Sequence, residues 1–204
     1  MSDILVTRTH MAVSKNSECG ARETRLVEAL NGRPIVLIGL MGAGKTTVGR
    51  RLANRLAIPF RDADHEIEAA ANMSVAEIFS QHGETHFRDG EKKVIARLLD
   101  KGNQVLATGG GAWMNAETRD LIGGKGISIW LKAEFDILMA RVRRRSHRPL
   151  LRDPDPEGVM RRLIDERYPV YALSDITVMS VDLPHESIVT SVVEALETHL
   201  NVSE

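Results

Sequence analysis

Short apolar runs that alternate with helical stretches, and a glycine-rich loop between the first run and the first helix, predict an α/β fold on a parallel sheet. The runs are Ile35–Ile38, Pro59–Asp62, Gln104–Thr108, Ile127–Leu131 and Ile176–Val178, so the expected sheet has five strands. Helical spacing follows at Val48 to Leu56 and Glu66 to Ala71, and Ser74 with Glu77 makes a capping box for Val75 to Gln81. Gly83 ends that helix, and Glu84 to Leu99 continues as a longer one with Phe87, Val94, Ile95 and Leu98 along one stripe. Phe135 to Arg144, Pro156 to Tyr168 and His185 to Leu200 complete the helices. Right-handed crossovers in such a sheet bring the functional loops to the carboxyl ends of the strands.

Length and composition agree with one such domain. The chain has 204 residues, of which 43% are hydrophobic and 27% charged. A formal net charge of −1 provides no global field for nucleic acid or an acidic membrane. The single cysteine, Cys19, has no internal disulfide partner, which fits a reducing, cytoplasmic setting. No apolar run approaches the roughly 18 residues that cross a bilayer. Residues 1 to 31 read as an N-terminal extension, disordered at first and then helical over Ala21 to Leu30, ahead of a domain spanning 32 to 204. Binding a partner and being dispensable are both open to that extension.

The loop Gly39-Leu40-Met41-Gly42-Ala43-Gly44-Lys45-Thr46-Thr47 fits G-x-x-x-x-G-K-[ST] in the strand–loop–helix setting that the motif needs. Backbone N–H groups of such a loop, with Gly42, Ala43, Gly44 and Thr47, cradle polyphosphate at a helix N-terminus. Lys45 reaches the β- and γ-phosphates and the Thr46 hydroxyl sits on Mg²⁺. The loop therefore implies a nucleoside triphosphate as donor and leaves the acceptor unnamed.

Other strand ends carry the acceptor chemistry. Asp62 and Asp64, read as extended chain, point to opposite sides, one toward Mg²⁺ and one toward an acceptor hydroxyl. A solvated, helix-capping turn is the plainer alternative. Arg88 and Glu91 are three apart on a helix, so Glu91 can hold Arg88 for bidentate capture of a carboxylate, though an ordinary surface pair has the same spacing. Gly109-Gly110-Gly111 at a strand end permits close backbone approach to a ligand, or is a plain turn. Arg141 to Leu151 holds five arginines in its first eight positions without an aromatic, which suits a lid over phosphate better than a nucleic-acid surface. Arg167 is a possible second clamp that spacing alone does not separate from a surface arginine.

In order, GLMGAGKTT, FRDADHEIE, IFSQHGETHFRDGE, ATGGGA, HRPLL and ERYPVY resemble the shikimate kinase family, with its P-loop, D-x-D, F-R-x-x-E, G-G-G, R-P-L-L and R-x-x-x-Y elements. The resemblance covers roughly residues 32 to 200. It implies a P-loop NTPase fold like that of NMP kinases, three αβα layers with a mobile lid at about 145–160, and transfer of the ATP γ-phosphoryl to the 3-hydroxyl of shikimate. It further implies that Asp64 accepts a hydrogen bond from the attacking hydroxyl, that Arg88, Arg167 and the Gly110 backbone hold the carboxylate, and that Asp62 organises Mg²⁺ with Thr46. Lys45 and Arg148 would stabilise the transferring group, Glu91 support Arg88, Phe79 and Phe87 wall the pocket, and Arg141 stack on adenine. The expected partners are shikimate and ATP alone, with no nucleic acid or membrane, and the expected state is a monomer. A gluconate-type or NMP kinase, a nonenzymatic nucleotide binder and an arginine-based nucleic-acid binder are the competing readings.

Overall fold

A computed structural model describes residues 20–144 and 153–202. The first 19 residues, the arginine-rich stretch from 145 to 152 and Arg148 with it lie outside them. The described chain runs as α1 (20–30), β1 (Ile35–Ile38), α2 (Lys45–Leu56), β2 (Phe60–Asp62), α3 (Ala63–Ala71), α4 (Val75–Leu99), β3 (Val105–Ala107), α5 (Ala116–Lys125), β4 (Ile127–Lys132), α6 (Phe135–Arg143), α7 (Pro156–Tyr171), β5 (Ile176–Met179) and α8 (His185–Leu200). All five strands are parallel, in the order β2-β3-β1-β4-β5. β1 is central, buried along its whole length, and its carboxyl end delivers the glycine loop. Helices cover both faces, as a parallel sheet requires when each face is apolar.

α1 belongs to the same core. Leu26 and Leu30 are completely buried, and Arg22 and Glu23 pair with Glu197 on α8 and Arg55 on α2.

Four elements differ from the sequence expectation. α3 starts at Ala63 rather than Glu66, because Asp62 closes the strand and caps the helix, its carboxylate accepting from the Asp64 N–H at 3.2 Å. The Asp62–Asp64 stretch is therefore a strand-to-helix junction and not extended chain. The capping box at Ser74 and Glu77 is present, and the expected break at Gly83 is a kink inside α4, where Gly83 takes φ 79°, ψ 174°. That conformation is essentially restricted to glycine. α5 has no counterpart in the sequence reading: Gly123 and Gly124 weaken its helical signal, and Asn115 caps it through the Thr118 N–H. α7 runs through Pro169 to Tyr171, three residues beyond the expected end.

Candidate active site

The donor half of the site is the glycine loop and what braces it. Gly39, Gly42 and Gly44 all have positive φ, and a Cβ on Gly39 would stand 2.8 Å from the Leu131 carbonyl oxygen, so both conformation and space call for glycine there. α2 begins at Lys45 itself, placing the loop N–H groups at a helix N-terminus. The Lys45 ammonium donates to the Gly39 and Leu40 carbonyls at 2.7 and 3.1 Å. Thr46 donates its hydroxyl to Asp62 at 2.9 Å, which puts a hydroxyl and a carboxylate oxygen side by side at the end of β2.

Arg141, on α6, reaches back to this loop. Its guanidinium donates to the Ser180 hydroxyl at 2.8 Å, the Val181 carbonyl at 2.6 Å and the Gly42 carbonyl at 3.4 Å. Ser180, fully buried just past β5, donates in turn to the Ala43 carbonyl at 2.8 Å. Burial lowers the Arg141 pKa, partly offset by Asp182.

The acceptor half is organised by the three glycines that follow β3. A Cβ on Gly109 would stand 2.9 Å from Glu91 Oε1 and 3.0 Å from Asp64 Oδ1. One on Gly110 would stand 3.4 Å from Arg167 Nη1 and 3.7 Å from the Tyr171 hydroxyl, and one on Gly111 only 2.4 Å from Arg88 Nη2. Each missing side chain thus makes room for a different polar group: two carboxylates, one guanidinium, then the other. Arg88 is held from two sides, by Glu91 at 2.7 Å and by Glu84 at 3.2 Å, and lies 5.2 Å over the Phe87 ring. Phe79 and Phe87 meet at 4.6 Å between centroids, brought together across the Gly83 kink.

Electrostatics separate these carboxylates from surface ones. Burial and the neighbouring Asp62 charge push the Asp64 pKa up, with Lys45 pulling it back. Burial also raises Glu91, against the opposing pull of Arg88. Glu91 is only 2% exposed, and its second oxygen has no hydrogen-bond partner in the structure.

Of the residues singled out in the sequence, Asp64, Arg88, Glu91, Gly110 and Arg167 lie around the glycine turn, with Phe79 and Phe87 along Arg88. Lys45, Thr46, Asp62 and Arg141 lie on the donor side. Sequence reasoning gave no role to Glu84, to Ser180 or to Tyr171, which entered only as the closing residue of R-x-x-x-Y. Glu84 and Tyr171 stand four residues from Arg88 and Arg167 on the same helix, a spacing that could have flagged them. Ser180 bonds across 137 residues and leaves no local signal.

Comparison with known proteins identifies the family. The family model described as shikimate kinase matches residues 41–197. The chain is 62% identical over 179 residues to a shikimate kinase from Rhodopseudomonas palustris, covering 88% of each, and 59% identical over 178 residues to one from Bradyrhizobium diazoefficiens, covering 87% of this chain and 86% of that one. Its fold matches the solved shikimate kinase of Acinetobacter baumannii in complex with shikimate, with a TM-score of 0.78 and 35% identity over 84% of this chain and 96% of that one. With a family model spanning most of its length and relatives this similar, the chain belongs to the shikimate kinase family.

Proposed function

We propose that the protein transfers the γ-phosphoryl group of ATP to the 3-hydroxyl of shikimate, giving shikimate 3-phosphate and ADP. The observation that carries this reading is the glycine turn after β3, where Asp64, Arg88 and Arg167 converge on one small space beside the loop bearing Lys45. A polyol carboxylate asks for that set: two guanidiniums for the carboxylate and one carboxylate for the hydroxyls. Arg88 and Arg167, with the Gly110 backbone, hold the acid, and Phe79 and Phe87 line its ring. Asp64 accepts from the attacking hydroxyl and orients it. In a loose transition state the hydroxyl loses its proton late, so orientation counts for more than basicity.

Lys45 leaves the loop carbonyls for the γ-phosphate, and Arg148 meets the same group from the lid. Arg141, already fixed beside the loop, stacks on adenine. Thr46 and Asp62 fit Mg²⁺: adjacent hard oxygens, one neutral and one anionic, leave room for the waters and phosphate oxygens that this ion prefers. When bound, the ion neutralises charge on the phosphates. The remaining proposals are a cytoplasmic monomer without nucleic-acid or membrane partners; no helix among the described residues is long and apolar enough to cross a membrane.

An ADP-release assay that compares shikimate, quinate, gluconate and nucleoside monophosphates as acceptors tests the reading. Turnover with shikimate is expected, and turnover only with gluconate or a monophosphate overturns it.

A further inference from the structure

Tyr171 is completely buried, yet it carries a hydroxyl into the acceptor half of the site. That hydroxyl donates to the Gly110 carbonyl, and it and the Arg167 guanidinium flank the same glycine, 3.7 and 3.4 Å from where a Cβ on Gly110 would stand. Against burial, the Arg167 charge pulls the Tyr171 pKa down, as a guanidinium beside the phenol does. The Tyr171 hydroxyl thus ties the last turn of α7, one helical turn after Arg167, to the middle glycine that the guanidinium flanks. Arg167 Nε is buried without a hydrogen-bond partner, so the place of this side chain depends on the turn that Tyr171 anchors.

The turn of helix beneath it is itself pinned. Trp113, just past the glycines, donates its indole N–H to the Val170 carbonyl at 3.0 Å. The Tyr168 hydroxyl donates to the Ala133 carbonyl beyond β4. Trp130 meets Tyr168 and Tyr171 edge-on, with centroids 4.8 and 5.9 Å away. The last turn of α7 is thereby fastened to the ends of β3 and β4 together. Burial pushes the Tyr171 phenol above its ordinary range, so it stays protonated and able to donate at neutral pH.

We propose that Tyr171 is a positioning residue for the acceptor clamp, setting the Arg167 guanidinium and the Gly110 peptide relative to each other so that both meet one carboxylate. This rests on the shikimate reading of the same site. A buried tyrosine that merely satisfies its hydroxyl predicts a loss of stability alone. The positioning role predicts a loss specific to the carboxylate.

The test is Tyr171→Phe, which keeps the ring and removes the hydroxyl. KM for shikimate should rise roughly tenfold, the effect of losing about one hydrogen bond's worth of positioning. KM for ATP should stay put and kcat should change little. With the methyl ester of shikimate, which has no carboxylate charge to clamp, wild type and Tyr171→Phe should give the same KM. In an Arg167→Ala background the substitution should add little. The two tryptophans of the chain, Trp113 and Trp130, both lie against this turn, so their fluorescence reads acceptor affinity without turnover. Should Tyr171→Phe fail to fold, Trp113→Phe, which loosens the same turn at Val170, must show the same selective rise. An unchanged KM for shikimate, or an equal rise with acid and ester, overturns the proposal. Wild type inactive on shikimate would instead overturn the functional reading beneath it.

Discussion

Gly109, Gly110 and Gly111 all have negative φ, so backbone freedom is not why three glycines stand in a row. Lateral space is the reason, and it is most demanding at Gly111, where a Cβ would collide with the Arg88 guanidinium. Gly111→Ala should fold, because the far end of an arginine can move, but it should raise KM for shikimate by roughly tenfold while sparing KM for ATP. An unchanged KM would mean that Arg88 grips from a different position. Asp64 makes a different trade. Asp64→Asn should lower kcat about 10²- to 10⁴-fold, the span for a group that handles a reacting proton. It should also make the protein harder to melt. The folded pKa of Asp64 lies above its unfolded value, chiefly through burial and the Asp62 charge, so the folded state binds the proton more tightly. The ionised aspartate then costs stability above the folded pKa, and that cost disappears below the unfolded value of about 3.9. Melts of the two proteins should accordingly diverge at neutral pH and converge toward pH 4. The acid limb of kcat in the wild type should sit above the ordinary aspartate range for the same reason.

Among whole elements, α1 is the one whose sequence says least about its importance. Its stripe of Leu26, Val27 and Leu30 reads as amphipathic, but only the structure places Leu26 and Leu30 in the core, with Arg22 and Glu23 paired to α8 and α2. Leu26→Ala should cost about 2–5 kcal/mol in urea unfolding, as cavity-forming changes at closed sites do. A cost below about 0.5 kcal/mol, the surface range, would make the helix a loose attachment. Strands and long helices were legible in the sequence because apolar runs and 3.6-residue stripes report burial directly. The junction at Asp62–Asp64 was not: a capping aspartate and an extended one are the same letter, and only the hydrogen bond from the Asp64 N–H distinguishes them. α5 was hidden by two glycines, and the end of α7 by Pro169, which the packed last turn tolerates. The site follows the same logic. Arg88 with Glu91 is a local pair and was readable, whereas the main-chain carbonyls that Tyr171 and Ser180 bond lie 61 and 137 residues away, partners that no local spacing names.

For the molecule as a whole, β1 is the seam between two half-sites. The glycine loop, α2 and the Arg141–Ser180 brace gather nucleotide-binding groups on one side. β2, β3, the kinked α4 and the end of α7 gather Asp64, Arg88 and Arg167 on the other. The halves join at Asp62, which takes both the Thr46 hydroxyl and the Asp64 N–H, and they meet electrostatically, since Lys45 lowers the pKa of Asp64 across the seam. Ligand-induced thermal shifts can therefore be dissected one half at a time. A non-hydrolysable ATP analogue or shikimate, each at about 100 times its Kd, should stabilise by about 2.7 kcal/mol. For a chain of this length that is a rise in Tm of roughly 5–10 °C. Arg88→Ala should lose the shikimate shift and keep the nucleotide shift, and Lys45→Ala should do the reverse. Both ligands together should shift wild type by more than the sum, because phosphate that draws Lys45 toward itself leaves Asp64 freer to accept the hydroxyl. A variant on one side that abolished both shifts would show that the site forms as one unit, and a merely additive double shift would show that the electrostatic influence of Lys45 on Asp64 carries no coupling.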